Sequence, residues 1–464
     1  MSGVWHILIL AAGEGTRMHS KHPKVLQPIL FRPMIHYVMD LAKALQGASQ
    51  TVVVGYGRDR LLEELKDYRE LKHVVQNEQL GTAHAVRMAE SLLSGQSGHL
   101  LVLSGDVILL KEKTLRDLME RHLDERAQCT FLTTEVPNPS GYGRVIRADT
   151  RHSIVGICEE RDCSPDERKI KEINTGIYCF EISHLFSCLG KIQNKNHQQE
   201  YYLTDALEIL ISQELKVVAQ KIDDFEQTLG INDRAALVGA EQILQQRING
   251  LLLAQGVTLH DPMSTVVDPR CRIQPDVEIE GGCVLVNTVI GKGSTIERMS
   301  RVVNSTLDEG VTIRQGSYIE GSHIGRGCVI GPYARLRPET KLARNVKIGN
   351  FVEIKKSQVG EDSKASHLSY IGDAEIGSGV NLGCGFITCN YDGRIKHRTI
   401  IEDGVFVGSD SQMVAPVTLG AGSYVASGST ITKDVPPGSL AFGRSRQINK
   451  AGYGKRYQKD PKEG

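Results

Sequence analysis

From position 324 an aliphatic residue recurs at every sixth place: Ile324, Ile330, Leu336, Leu342, Ile348 and Ile354. Ile401, Val407, Met413, Leu419, Val425 and Ile431 form a second ladder, and Val267, Ile273, Ile279 and Leu285 begin the pattern. Glycine often comes next, as at Gly325, Gly331, Gly349, Gly408 and Gly420. A period of six belongs neither to an α-helix nor to an alternating strand. It predicts a parallel β-helix: each repeat is a short strand and a corner, and three repeats close a triangular coil. Coils then stack at strand spacing, roughly 4.8 Å. Two stretches depart from the rule. The ladder breaks over residues 355–372, and residues 390–399 (NYDGRIKHRT) insert a polar loop too long for one coil. Loops carried on a rigid scaffold are where function concentrates.

The amino-terminal half reads differently. Apolar runs at 6–10, 51–55, 73–76 and 100–103 alternate with helical patterns at 61–68 and 83–93, which predicts a mostly parallel sheet covered by helices. Over 235–254, Leu237, Ile243, Leu244, Ile248, Leu251 and Leu252 recur at helical spacing without proline, so a long amphipathic helix joins the halves. The expected organisation is a first domain over 1–230, a helical linker over 231–255, and the β-helix with its tail over 256–464.

Length and charge narrow the class. The 464 residues suit two or three domains, and 55 basic against 55 acidic side chains suggest no nucleic-acid partner. Neither a signal peptide nor an apolar run long enough to span a bilayer is read. Ten scattered cysteines form no CxxC pair and are read as reduced thiols of a cytoplasmic protein.

The first apolar run ends in Leu10, Ala11, Ala12 and Gly13, opening the Gly-rich turn AAGEGTR. Such a turn, at the carboxyl end of a first parallel strand, brings backbone N–H groups to phosphate. Asp106 follows the run at 100–103 through Ser104 and Gly105; its carboxylate admits two readings, a Mg²⁺ ligand or a helix N-cap. Asn232 likewise reads as a ligand or as the cap of the helix after it. The longer pattern, LAAGEGTRM followed by PKVL, resembles the sugar-nucleotide pyrophosphorylases, whose fold is Rossmann-like. The spacing of GYGR (141–144), Glu159 and EINTGI (172–177) is similar to that of N-acetylglucosamine 1-phosphate uridylyltransferases. By that resemblance Arg17 and Lys24 neutralise the triphosphate of UTP, and Gln76, Gly81 and Thr82 lie in the base-recognition segment, where the Gln76 amide can both donate and accept at a uracil edge. Gly141, Glu159 and Asn174 grip the N-acetylhexosamine, and Asp106 and Asn232 hold Mg²⁺. Where relatives often carry Tyr, this chain has Ser104, which puts binding strength in question.

The repeats resemble the left-handed β-helices of hexapeptide acyltransferases, which commonly trimerise and bind acyl-coenzyme A between subunits. KASHLSYIGDAEIG, ARLRP and NFVEIKK match the bifunctional bacterial family that joins glucosamine-1-phosphate N-acetyltransferase to the uridylyltransferase, over essentially the whole chain. The resemblance makes His367 the general base of amine acetylation, a task imidazole performs near neutral pH. It assigns Arg337, Lys355, Tyr370 and Asn381 to the sugar phosphate, with Glu353 orienting either the hexosamine or the base. Cys384, Asn390, Tyr391, Ser409, Ser427 and Arg444 fall on acetyl-coenzyme A positions. Cys384 is read as a small apolar filler, with an acyl-carrying thiol as the other reading. The basic tail after Gln447 is either a solvated end or an arm toward coenzyme phosphates. The product implied is UDP-N-acetylglucosamine, a precursor for peptidoglycan, lipopolysaccharide and lipid A, made from glucosamine 1-phosphate, acetyl-coenzyme A and UTP by a homotrimer.

Overall fold

The computed structural model describes residues 3–148 and 154–454. The chain divides into two compact units, 1–245 and 246–464, and the division falls within the helix Arg234–Ala254. Leu237 and Ala240 join the core of the first unit and Leu252 that of the second. Leu251, expected on the apolar face, is 63 % exposed. No helix among the described residues is long and apolar enough to cross a membrane.

The first unit is built on a sheet whose main path runs Val217–Ile222, Cys129–Glu135, Glu172–Glu181, His99–Ser104, Trp5–Ala11, Ser49–Val54 and Lys72–Val75. Six of these strands share one direction, and Glu172–Glu181 opposes them. Its neighbours Arg144–Arg147 and Ile154–Cys158 extend the sheet as an antiparallel pair. Alternate side chains feed opposite faces: Ile7, Ile9, Val52 and Val54 enter one core, and Leu8, Val53, Leu100 and Val102 the other. Burial on both faces is why these strands read as continuous apolar runs. Because Leu10 pairs with Ser104 and Ala11 with Val54, the loops after three parallel strands open along one edge.

The second unit is a three-sided parallel β-helix of eleven, ten and nine strands. Every inward position of both ladders is buried, from Ile324 to Ile354 and from Ile401 to Ile431. Side chains on successive coils pack in columns, such as Ile296, Ile313, Ile330 and Ile348. The stretch 355–372, where the ladder was expected to break, continues the coil. Val359, Ala365 and Ile371 are buried within the strands Gln358–Val359, Lys364–His367 and Tyr370–Gly372. Only one step, Ile354 to Val359, is a residue short, and the corner at Lys356 takes φ 48°, so the coil closes and the column continues. Residues 390–399 do leave the coil. Tyr391 and Lys396 bridge across the loop, the Asp392 carboxylate accepts from the N–H groups of Arg394 and Ile395, and Ala374 pairs with Thr399 once the coil resumes.

Burial of one such aliphatic side chain is worth about 2 kcal/mol, and a truncation leaves a cavity between coils. Ile330→Ala is therefore expected to cost about 3 kcal/mol, measured by urea unfolding of the carboxyl-terminal unit. Lys364→Ala, on the outward face of its strand, is expected to shift it by less than about 0.5 kcal/mol.

Candidate functional site

In the first unit, the Lys24 ammonium reaches both the Asp106 carboxylate and the Asn232 amide oxygen, the latter at 3.0 Å. The two oxygens come from distant parts of the chain and face one point, which this ammonium cation contacts. Ser104 Oγ donates to the other Asp106 oxygen at 2.7 Å, a contact made by the hydroxyl that stands in place of an aromatic ring. The lysine stem is wedged against Gly15, which sits at φ 68°; a Cβ there would overlap Lys24 Cβ. Burial would push the Asp106 carboxyl up, but the Lys24 ammonium and Ser104 hydroxyl outweigh it and hold it below its ordinary value. The helix that follows, Glu112–Asp124, has Lys111 at its N-cap position, and the Asp106 oxygens accept from Lys24 and Ser104 instead, so Asp106 does not cap it. Asn232 likewise spends its oxygen on Lys24.

Other first-unit candidates lie on the loops that follow the parallel strands. The Gly105 N–H donates to the Leu10 carbonyl at 2.9 Å, and Gly55 packs so tightly on Ala12 that a Cβ would overlap it. Gly13 has open space beside it. Arg17 lies exposed on the short turn Thr16–Met18, and no hydrogen bond joins it to Lys24, Asp106 or Asn232. Gln76 spends its amide N–H groups on the Gly81 carbonyl and His84 Nδ1, both at 3.1 Å, so only its oxygen is left to meet a base, not the donor–acceptor pair expected. Gly81 holds φ 110°, and a Cβ there would strike the Tyr201 backbone. Thr82 Oγ1 accepts from the Leu203 N–H at 3.0 Å.

A third group lies beside the antiparallel strands. Asn174 is fixed at both ends of its amide, donating to Tyr178 Oη at 2.6 Å and accepting from the Gly176 N–H at 3.2 Å. Glu159 accepts from Thr204 Oγ1 at 3.2 Å, while the Gly141 N–H is held by the next carboxylate, Glu160. Burial pushes the Glu159 carboxyl up, the Thr204 hydroxyl opposes this, and Asp162 and Glu200 add to the rise. Sequence reading passed over Tyr142, although it stands inside the GYGR motif. Its phenol is half-buried, takes a hydrogen bond from the Gly230 backbone, and lies close enough to feel Asp106.

In the second unit, the strand Lys364–His367 ends at a corner, and His367 is exposed there. The corners stacked after it carry Cys384, Ser409, Ser427 and Arg444: the Gly385 N–H bonds Leu368, Asp410 bonds Cys384, and Gly428 bonds Ser409, with Arg444 beside Gly428. Five candidates far apart in sequence thus form one column, about 19 Å tall at strand spacing. On the adjoining face, Arg337 Nη1 pairs with Glu353 at 2.9 Å, and Glu353 and Lys355 register with Tyr370 and Gly372. A Cβ on Gly372 would crowd the ends of the Tyr370 and Asn390 side chains. Lys396, which sequence reading missed, comes down from the 390–399 loop onto Lys355 and lowers its pKa, with burial and Arg337 adding. Asn381 is not with them; it lies on the His367 sheet, in register with Lys364 and Phe406. Asn390 is buried at the loop's root, donating to Asp373 at 2.5 Å, whereas Tyr391 is exposed. All ten cysteines are free.

Comparison with known proteins agrees with both halves. The nucleotidyl transferase family matches residues 6–226, the bacterial transferase hexapeptide repeat matches 398–433, and a GMPPB C-terminal domain matches 266–344. The chain is 47 % identical over 449 residues to the "Bifunctional protein GlmU" of Geobacillus sp., covering 97 % of each. Proteins of the same name from Pelobacter propionicus and Listeria monocytogenes are each 46 % identical, over 97 % of this chain and 98 % of theirs. The chain belongs to the bifunctional GlmU family. It is an enzyme with a nucleotidyltransferase unit and a hexapeptide-repeat transferase unit on one polypeptide.

Glu159 gives a testable sign. An acid whose folded pKa is raised contributes stability at low pH that is lost as pH rises through that value. Glu159→Gln is therefore expected to raise the melting temperature near pH 7.5, with a smaller gain near pH 4, while weakening sugar-nucleotide binding measured by calorimetry.

Proposed function

We propose that the chain makes UDP-N-acetylglucosamine in two consecutive reactions. In the second unit, the amine of glucosamine 1-phosphate attacks the thioester carbon of acetyl-coenzyme A while His367 takes its proton. Arg337, Lys355 and Lys396 hold the phosphate, with Tyr370 on hydroxyls and Glu353 paired to Arg337; Asn381, on the His367 sheet, approaches the sugar from the base's side. The observation that carries this reading is the corner column headed by His367. Its height suits an extended pantetheine arm, with Arg444 at the phosphate end and the Ser409 and Ser427 hydroxyls between. A prism that served only for assembly has no use for an exposed imidazole at the head of such a column.

In the first unit, the phosphate oxygen of N-acetylglucosamine 1-phosphate attacks the α-phosphorus of UTP and pyrophosphate leaves. Gln76 offers its amide oxygen to the uracil N–H, and Glu159 and Asn174 meet the hexosamine. Asp106 and Asn232 would hold Mg²⁺, and the donor set fits it: two hard oxygens from separate loops already converge on one cation, the Lys24 ammonium, leaving other positions to phosphate oxygens. When bound, the ion supplies neutralisation of phosphate charge. Lys24 and Arg17 carry the rest of that charge, positioned beside the Gly-rich turn.

A cytoplasmic setting is supported by ten free thiols, and a homotrimer by one corner of the prism. There Tyr333 and Phe351 stack 5.7 Å apart, and with Leu368 they stand 48 to 58 % exposed. All three take positive φ, at a cost of about 1 kcal/mol or more each, which an isolated chain does not recover.

His367→Ala is expected to lower acetyl transfer by about 10²–10⁴-fold and leave uridylyl transfer intact, and Asp106→Ala to do the reverse. Separate assays of coenzyme A release and pyrophosphate release check both; equal loss of both activities in a folded variant would sink the two-site reading. Lys24→Ala is expected to abolish pyrophosphate release without affecting coenzyme A release.

A further inference from the structure

The two coils that meet at His367 differ from the rest of the prism. Lys347–Asn350 and Lys364–His367 are strands of four residues, whereas the other described strands of the β-helix have two or three. The extra length brings Asn350 into register with His367. Gly349 allows it: a Cβ there would overlap the Ser366 carbonyl oxygen, so this is where the two coils press closest. The residues that follow, Phe351 and Leu368, turn the corner at φ 57° and 41°, conformations that bulky side chains rarely adopt. The Leu368 N–H closes on the Asn350 carbonyl at 3.0 Å. Strained backbone of this kind persists where surrounding structure over-determines it, commonly at sites of function.

The outcome of these adjustments is one contact. Asn350 Oδ1 lies 2.9 Å from His367 Nδ1. An amide oxygen only accepts, so this contact is a hydrogen bond in the tautomer with the proton on Nδ1 and the lone pair on Nε2. We propose that Asn350 is the positioning residue of the acetyl-transfer site: it selects this tautomer and aims Nε2 at the attacking amine. The proposal rests on His367 being the base. As the nitrogen–carbon bond forms and the carbon–sulfur bond breaks, Nε2 takes the amine proton and returns it to the departing thiolate, so amine and thioester become amide and thiol. Throughout, Nδ1–H stays on Asn350, and a neutral amide holds the ring without adding a charge.

Asn350→Ala is expected to lower kcat for acetyl transfer by about 10–100-fold, the usual cost of losing a group that orients a functional imidazole, with KM for both substrates and uridylyl transfer unchanged. Asn350→Asp keeps an acceptor and is expected to restore most of the loss. In the unmutated protein, ¹⁵N spectra of His367 are expected to show the Nδ1–H tautomer. A proton on Nε2, a change confined to KM, or an Asp variant no better than Ala overturns the proposal while leaving the base intact. Survival of acetyl transfer in His367→Ala overturns instead the reading on which it stands.

Discussion

Parallel pairing in register is the constraint on which both units depend. In the β-helix it places each residue directly over one a full coil earlier, at roughly 4.8 Å. Inward positions therefore become continuous aliphatic columns, and outward or corner positions become continuous functional ones. The core column Ile296, Ile313, Ile330, Ile348 and the corner series from His367 to Arg444 are products of the same geometry. In the first unit the same pairing, of Leu10 with Ser104 and Ala11 with Val54, lines up strand ends so that the Gly-rich turn, the 55–57 loop and Asp106 open along one edge.

The two sites use this scaffold to opposite electrostatic ends. Near Asp106 the chain supplies its own cation: the Lys24 ammonium compensates a buried carboxylate and keeps it ionised. Near Glu159 it does not, and burial raises the carboxyl instead. In the second unit, cations crowd one another. Lys396 on Lys355 makes an arrangement that is unfavourable by itself.

Bulky residues at positive φ tell a related story. Most prism corners that need left-handed backbone use glycine or a short polar residue, as at Gly327, Asn345 and Asp362. Tyr333, Phe351 and Leu368 break that habit on neighbouring coils, at the corner that carries the imidazole. Strain, exposed apolar surface and an exposed imidazole coincide there.

Periodicity and motif were enough to read the architecture. A six-residue spacing can satisfy only a coil of three short faces, and apolar runs alternating with helical patterns only a covered parallel sheet. They were enough, too, to nominate Lys24, Asp106, Glu159 and His367, because chemistry-bearing side chains stood within long, specific patterns. Other features were not visible in one dimension. A single five-residue step at Lys356 looked like a break, since period counting cannot see that a corner absorbs it. Gln76 looked like a free donor, since nothing in its neighbours along the chain announces His84 and Gly81 as partners. Which face holds Asn381, which loop delivers Lys396, and which amide meets His367 Nδ1 all depend on residues 17 to 41 positions apart meeting through stacked coils, and that proximity exists only after the chain has wound.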